Sequence, residues 1–269
     1  MDYQMLVLDL DGTLTNSRKE ITEPTRKALI EIQEAGKHVV LASGRPINGV
    51  RPLAAKLELE RFGGYMLSFN GARITQCSTG NVVYNRTLPA EVIGPIFEFA
   101  RSYPGVDVAT YDDDHIISGL EPNKYTKIES SINSMPIIQT SDFVSYVDFP
   151  INKLLIPGEP AVLEEMIPVL KEKYHSLLNI YRSEPYFLEI MPQNIDKAYS
   201  LQKLLSSIGL TADSMICCGD GYNDVSMIEY AGLGVAMENA QPIVKDTADF
   251  ITKSNDDDGI LYVINQFLR

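Results

Sequence analysis

Two short stretches of the chain concentrate acids in a pattern that could do chemistry: Asp9-Leu10-Asp11-Gly12-Thr13 and Gly219-Asp220-Gly221-Tyr222-Asn223-Asp224. Each follows an apolar run that reads as a strand. If those strands are neighbours, four carboxylates meet, and like charges that close raise one another's pKa. A bound divalent cation relieves the repulsion. Oxygen donors without Cys or His in either stretch favour a hard ion, and Mg²⁺ is the usual choice beside phosphate. A phosphate monoester is itself an anion, so a carboxylate can attack it only where cations neutralise the phosphoryl oxygens. Mg²⁺ supplies one side and Lys197 can supply the other, while Ser43 and the amides around Gly44 offer hydrogen bonds from a strand end leading into a helix. One acid can then act as nucleophile, and another can protonate the departing alkoxide and later deprotonate the hydrolytic water.

Positioning these groups requires strands that end together. Met5–Leu10 is a continuous apolar run closed by Asp11-Gly12, the pattern of a strand buried on both faces. A helix follows, with Thr22 as cap, Pro24 in its first turn, a stripe of Ala28, Leu29, Ile32 and Ala35, and Gly36 at its end. The grammar repeats: Val39–Ala42 stops at Ser43-Gly44, 46–57 is helical, and Tyr65–Phe69 stops at Asn70-Gly71. After Lys197 it returns, with a helix to Ile208, runs at 215–218 and 233–236, and a closing helix toward Phe267. This predicts an α/β fold with a doubly wound parallel sheet, whose ligands bind beyond the carboxyl ends of the strands. Between these halves the pattern changes to short β-like runs, such as 106–111 and 115–118 joined by Asp112-Asp113-Asp114, with helical stretches near 90–103, 125–134 and 161–174. The expected domains are therefore a core of 1–87 plus 191–269 and an inserted α+β module of 88–190.

Composition excludes several classes. Asp and Glu outnumber Lys and Arg by 36 to 23, a formal net charge of -13, and no basic stripe interrupts this, so nucleic acid is not an expected partner. The start, Met1-Asp2-Tyr3-Gln4, is acidic and the apolar run after it is far too short for a signal peptide or membrane span, which leads us to expect a cytoplasmic protein without a membrane partner. Three cysteines, two of them adjacent at 217 and 218, suit a reducing compartment better than a disulfide framework. None of the three histidines lies beside a Ser or Cys in a recognisable nucleophile spacing, which argues against a histidine-based mechanism.

The four stretches Asp9–Thr13, Ser43-Gly44-Arg45, Lys197 and Gly219–Asp224 occur in the order of the four motifs of the haloacid dehalogenase superfamily, which the chain resembles over nearly its full length. An insertion between the second and third motifs, with Asn70-Gly71-Ala72 and Gly234-Val235-Ala236-Met237, is similar to the Cof-type sugar-phosphate phosphatases, whose α/β cap covers the site. The resemblance implies a phosphatase acting on a small phosphorylated metabolite through an aspartyl phosphate, with Asp9 as nucleophile and Asp11 as general acid/base. It implies Mg²⁺ held by Asp9, the backbone carbonyl of Asp11, and Asp220, with Asp224 supporting. Phosphate would contact the backbone near Leu10, then Ser43, Gly44, Lys197 and Asn223. The chain departs from the family at the third motif, where Asp196-Lys197-Ala198 replaces Asn-Lys-Gly and sets an acid beside Lys197 to compete for its charge. A phosphomutase on sugar phosphates and a non-catalytic phosphate-binding regulator are the rival readings.

Overall fold

The computed structural model describes residues 3–269. β1 (Met5–Leu8) is buried at all four positions, as a strand covered on both faces must be. The helix Glu23–Glu34 starts at Thr22, whose Oγ1 accepts from the Thr25 amide at 3.4 Å, and it buries Ala28, Leu29 and Ile32. β2 (His38–Ala42) pairs parallel with β1, and β3 (Tyr65–Ser68) parallel with β2. At Phe69–Gly71 the chain reverses, so β4 (Arg73–Gln76) and β5 (Val82–Asn85) extend the sheet antiparallel.

The segment that follows is a unit with its own sheet and core. Its strands are β6 (Ala109–Tyr111), β7 (Ile116–Ser118), β8 (Ile137–Gln139), β9 (Leu154–Pro157), β10 (Leu178–Glu184) and β11 (Phe187–Pro192), ordered β10-β11-β9-β6-β7-β8. All pairs are antiparallel except β7 with β8. Asp112 forms the β6–β7 turn, its Oδ1 accepting from the amides of Asp114 and His115. Ile93, Ile96 and Phe97 of the helix Ala90–Ala100 and Leu163, Met166 and Leu170 of the helix Pro160–Tyr174 pack with Leu154, Ile156, Leu188 and Ile190 of the sheet.

After this insertion, β12 (Met215–Gly219) pairs parallel with the free side of β1, followed by β13 (Leu233–Ala236) and β14 (Phe250–Ile251). The first unit thus holds an eight-stranded sheet ordered β14-β13-β12-β1-β2-β3-β4-β5 among the described residues. Leu6, Leu8, Leu29, Leu41, Leu67 and Ile216 lie fully inside its core, each such side chain contributing about 1.5–3 kcal/mol of hydrophobic stabilisation.

Two sequence expectations need adjustment. The sheet is mixed, because the turn after β3 sends β4 and β5 back along its edge. The units divide as the chain to Asn85 with Asp196–Arg269, and Arg86–Ile195, where the sequence placed the breaks at 87/88 and 190/191. A break at 190 would cut β11, which pairs with β9 through Ile190 and with β10 through Pro192. At the other end, the Leu88 amide donates to the Ile151 carbonyl and Asn152 Nδ2 donates to the Arg86 carbonyl, tying both residues to the second unit. Met1 and Asp2, on which the expectation of no leader partly rested, lie outside the described residues. No helix among the described residues is long and apolar enough to cross a membrane.

Candidate active site

Sheet order brings distant stretches of chain together. β1 lies between β12 and β2, with Leu8 in register with Cys218 and with Leu41, so Asp9, Asp220 and Ser43 leave the carboxyl ends of three adjacent parallel strands. The chain passes from β1 to β2 and β3 on one side and continues through β12, β13 and β14 on the other, which makes this a topological switch point, where open α/β sheets bind ligands. The Asp9 amide donates to the Cys218 carbonyl at 3.1 Å, carrying the ladder one residue beyond the strands.

Asp9, Asp220 and Asp224 each present a carboxylate oxygen within 4.8 Å of the others. Lys197 lies beneath them, fully buried. Its Nζ donates to Asp9 Oδ1 at 2.7 Å, Asp224 Oδ1 at 2.6 Å and the Ala42 carbonyl at 2.9 Å. An ammonium has three protons, so in this arrangement all are taken. The expected phosphate-facing lysine is thus a brace between two acids, and contact with a phosphoryl oxygen requires it to exchange one of these bonds. Asp196 does not compete for it as expected. The Asp196 carboxylate caps the helix Lys197–Ile208, accepting from the Tyr199 amide at 2.8 Å. Asp and Asn cap equally well, which is a physical reason for one to stand where the family has the other.

Burial raises the Asp9 pKa to about 8, with Asp224 adding to the push and Lys197 opposing it. Burial likewise lifts Asp220 to about 6 against the Thr13 hydroxyl, which donates to its Oδ1 at 2.9 Å. Burial opposes the charge on Lys197 too, but Asp224 and Asp9 outweigh it and hold its pKa above the ordinary lysine range. Asp224 turns inward, its Oδ2 accepting from the amides of Asp220 and Gly221 at 3.0 and 2.9 Å, so it shapes the loop as well as facing Lys197. Gly12 has φ +82°, and a Cβ there would stand 2.4 Å from Asp220 Oδ2, so only glycine lets that loop approach so closely.

Asp11 is not part of this acidic group. Arg45 grips its carboxylate with two bonds, Nε to Oδ2 at 2.8 Å and Nη2 to Oδ1 at 2.6 Å, and Lys19 adds a third at 2.8 Å. Burial acts against its charge, but the hydrogen bonds and charges of Arg45 and Lys19 prevail and lower its pKa. Its expected metal contact would therefore come from the backbone carbonyl alone. The Leu10 side chain is fully buried, and its carbonyl accepts from the amide and hydroxyl of Thr15, which closes the turn after β1. Ser43 is nearly buried, its Oγ accepting from the Arg45 amide at 3.2 Å, and Gly44 follows it under the carboxamide of Asn70. Asn223 is exposed and donates from Nδ2 to Asn70 Oδ1 at 3.0 Å. Thr13, Lys19, Arg45 and Asn70 are the partners that sequence reasoning left without a role. Thr13 and Arg45 were already inside the motifs, and their polar side chains next to the acids were the available signal.

The donor set fits a divalent cation. Three buried or half-buried carboxylates face one ammonium, leaving two negative charges to be offset, and every donor is an oxygen. Burial and mutual repulsion raise Asp9 and Asp220, and a cation at these oxygens would offset that electrostatic cost.

A family model described as haloacid dehalogenase-like hydrolase matches residues 6–264. The 5-amino-6-(5-phospho-D-ribitylamino)uracil phosphatase YcsE of Bacillus subtilis is 32% identical over 268 residues, spanning 100% of this chain and 97% of that protein. Among solved structures, a haloacid dehalogenase-like hydrolase from Bacteroides thetaiotaomicron is 46% identical with a TM-score of 0.95, covering 98% of this chain and 99% of that one. TM0651 from Thermotoga maritima is 31% identical with a TM-score of 0.88, covering 98% and 97%.

Proposed function

The chain belongs to the haloacid dehalogenase-like hydrolases and is a phosphatase of that family, and from this premise we propose that it hydrolyses small phosphate monoesters, sugar phosphates foremost, with Mg²⁺ and through a phosphorylated Asp9. The observation that carries the reading is the meeting of Asp9, Asp220 and Asp224 at the ends of β1 and β12, with Ser43 beside them at the end of β2. The relative YcsE, whose named substrate carries a phosphorylated ribityl chain, supports a small polyhydroxylated leaving group. None of the four motifs lies in Arg86–Ile195. All three cysteines are free thiols, in keeping with the expectation of a reducing, cytoplasmic setting.

Asp9, the Asp11 carbonyl and Asp220, supported by Asp224, are the groups that would hold Mg²⁺, which when bound supplies charge neutralisation for the acids and the phosphoryl oxygens. Ser43 Oγ, the Gly44 amide and Asn223 orient those oxygens. The Asp9 carboxylate forms a bond to phosphorus as the ester P–O bond breaks, and Asp11 gives a proton to the departing oxygen. Water, deprotonated by Asp11, then attacks the same phosphorus and releases Asp9. Because Arg45 and Lys19 keep Asp11 ionised in the described arrangement, it must leave their grip to serve as the acid.

Phosphate release from a panel of monoesters, with Mg²⁺ and with EDTA, tests the proposal, and a chain inert toward all of them in Mg²⁺ refutes it. Removing the proton donor sharpens the test. In Asp11→Asn, kcat/KM for an alkyl phosphate should fall by roughly 10²–10⁴-fold, the span of general acid catalysis. With p-nitrophenyl phosphate, whose phenolate departs unaided, the loss should be far smaller. Equal losses on both substrates would remove Asp11 from leaving-group protonation. The cation makes a separate prediction: at a hundredfold excess over its Kd, Mg²⁺ should add about 2.7 kcal/mol of stability and raise the melting temperature by roughly 5–10 °C. Asp220→Asn should blunt that shift, and an unchanged melting temperature in Mg²⁺ would count against a cation at these acids.

A further inference from the structure

The turn between β3 and β4 passes through three successive residues of positive φ: Phe69 at +52°, Asn70 at +53° and Gly71 at +100°. Glycine visits that region freely and asparagine at modest cost, but for a phenylalanine it costs about 1–2 kcal/mol, and such strain persists only where surrounding bonds over-determine it. Here the bonds run to the site on two sides. The Phe69 amide donates to the Arg45 carbonyl at 3.0 Å and the Asn70 amide to the Ser43 carbonyl at 2.9 Å, which fastens the turn to the loop after β2. The Gly71 carbonyl accepts from Ser200 Oγ at 2.5 Å, fastening it to the helix that begins at Lys197.

The Asn70 side chain completes the connection. Its Oδ1 accepts from Asn223 Nδ2 at 3.0 Å, and its carboxamide covers Gly44 so closely that a Cβ there would stand 3.1 Å from Oδ1. One carboxamide therefore touches both Gly44 and Asn223, which leave different strands and are the groups the phosphatase reading assigns to the phosphoryl oxygens. Asn223 is exposed, and without this bond its side chain would sample several rotamers.

We propose that Asn70 is a positioning residue for phosphate, its carboxamide holding Asn223 and the Gly44 peptide at the spacing a phosphoryl group requires. The inference rests on the phosphatase reading above. Ordering the two donors before the phosphate arrives removes an entropic cost from binding, so Asn70 acts on affinity more than on the chemical step. The strained turn has the same purpose: left-handed backbone at residue 70 aims the side chain at Gly44, and asparagine is the carboxamide residue that best tolerates it.

Asn70→Gly keeps the left-handed backbone and deletes the carboxamide. In the full chain with Mg²⁺, KM for p-nitrophenyl phosphate and the calorimetric Kd of inorganic phosphate should rise together by about tenfold, the effect of one lost hydrogen bond to a charged group. The kcat should stay within about threefold, since uniform binding is what is lost. Asn223→Ala, which leaves the turn untouched, should reproduce the rise. Combining the two should add less than about twofold, because the side chains act as one unit. Unchanged KM and phosphate Kd in Asn70→Gly, a fall in kcat alone, or losses that multiply in the double variant would each overturn the assignment. A parent that neither turns over p-nitrophenyl phosphate nor binds phosphate overturns the phosphatase reading as well, so the two failures are distinguishable.

Discussion

Asp9→Asn should lower p-nitrophenyl phosphate turnover by roughly 10⁴-fold or more, the scale on which removing a covalent nucleophile acts. The amide that replaces the carboxylate cannot form the acyl phosphate, whatever the cation and Ser43 still do for the phosphoryl group. The fold should survive. Burial and Asp224 already press Asp9 toward its neutral form, with a pKa of about 8, so a neutral side chain of the same shape meets little resistance. Lys197 would keep Asp224 and the Ala42 carbonyl as partners. Initial rates and a thermal melt of the same preparation check both halves, and a variant as fast as the parent would remove Asp9 from the reaction.

Lys197→Met should have the largest effect on stability. The ammonium is fully buried between Asp9, 7% exposed, and Asp224, 0% exposed, and no other ion-pair partner of either acid is found among the described residues. Methionine matches the length of the stem but leaves two buried carboxylates facing each other. Breaking a buried pair from one side costs about 3–5 kcal/mol, which for a chain of this size lowers the melting temperature by roughly 10 °C. Mg²⁺ should recover part of that loss, since it offsets the same charges from the other side. A Lys197→Met protein that melts with the parent in EDTA would show that the lysine does not carry the acids.

The strands that position the site were legible for a physical reason. β1, β2, β3 and β12 are buried at nearly every position, so they appear as apolar runs that end at or just before Asp, Ser, Asn or Gly. β4 and β5 lack that signal. They are the last two strands of the sheet, with β5 at its edge; Val82 and Val83 are exposed and Arg73 and Gln76 half-buried, so neither a continuous run nor a clean alternation marks them. The end of the insertion was misplaced because β11 is as apolar as a core strand, and only its pairing with β9 and β10 assigns it to the second unit.

Within the site, the identity of the acids was legible and their partners were not. That Asp9 and Asp220 meet depends on β1 lying against β12, a pairing of residues more than two hundred positions apart. Lys197 was expected to face a phosphate, but its length lets it reach three acceptors inside the protein. Asp196 looked like a competitor for that charge because adjacency in sequence suggests adjacency in space, whereas the first turn of a helix points neighbouring side chains apart. Asp11 stood two residues from Asp9, and the turn at Gly12 sends its carboxylate to Arg45 and Lys19 instead of the acidic group.

Trapping the phosphorylated residue is the most direct examination of the mechanism. With Mg²⁺ and a rapidly turned-over phosphate monoester, quenching into borohydride reduces an aspartyl phosphate to homoserine, and peptide mass spectrometry locates it. Homoserine should appear at position 9 and be absent from Asp9→Asn. Reduction at Asp11, Asp220 or Asp224, or active turnover with no reducible acyl phosphate at all, would contradict the covalent route through Asp9.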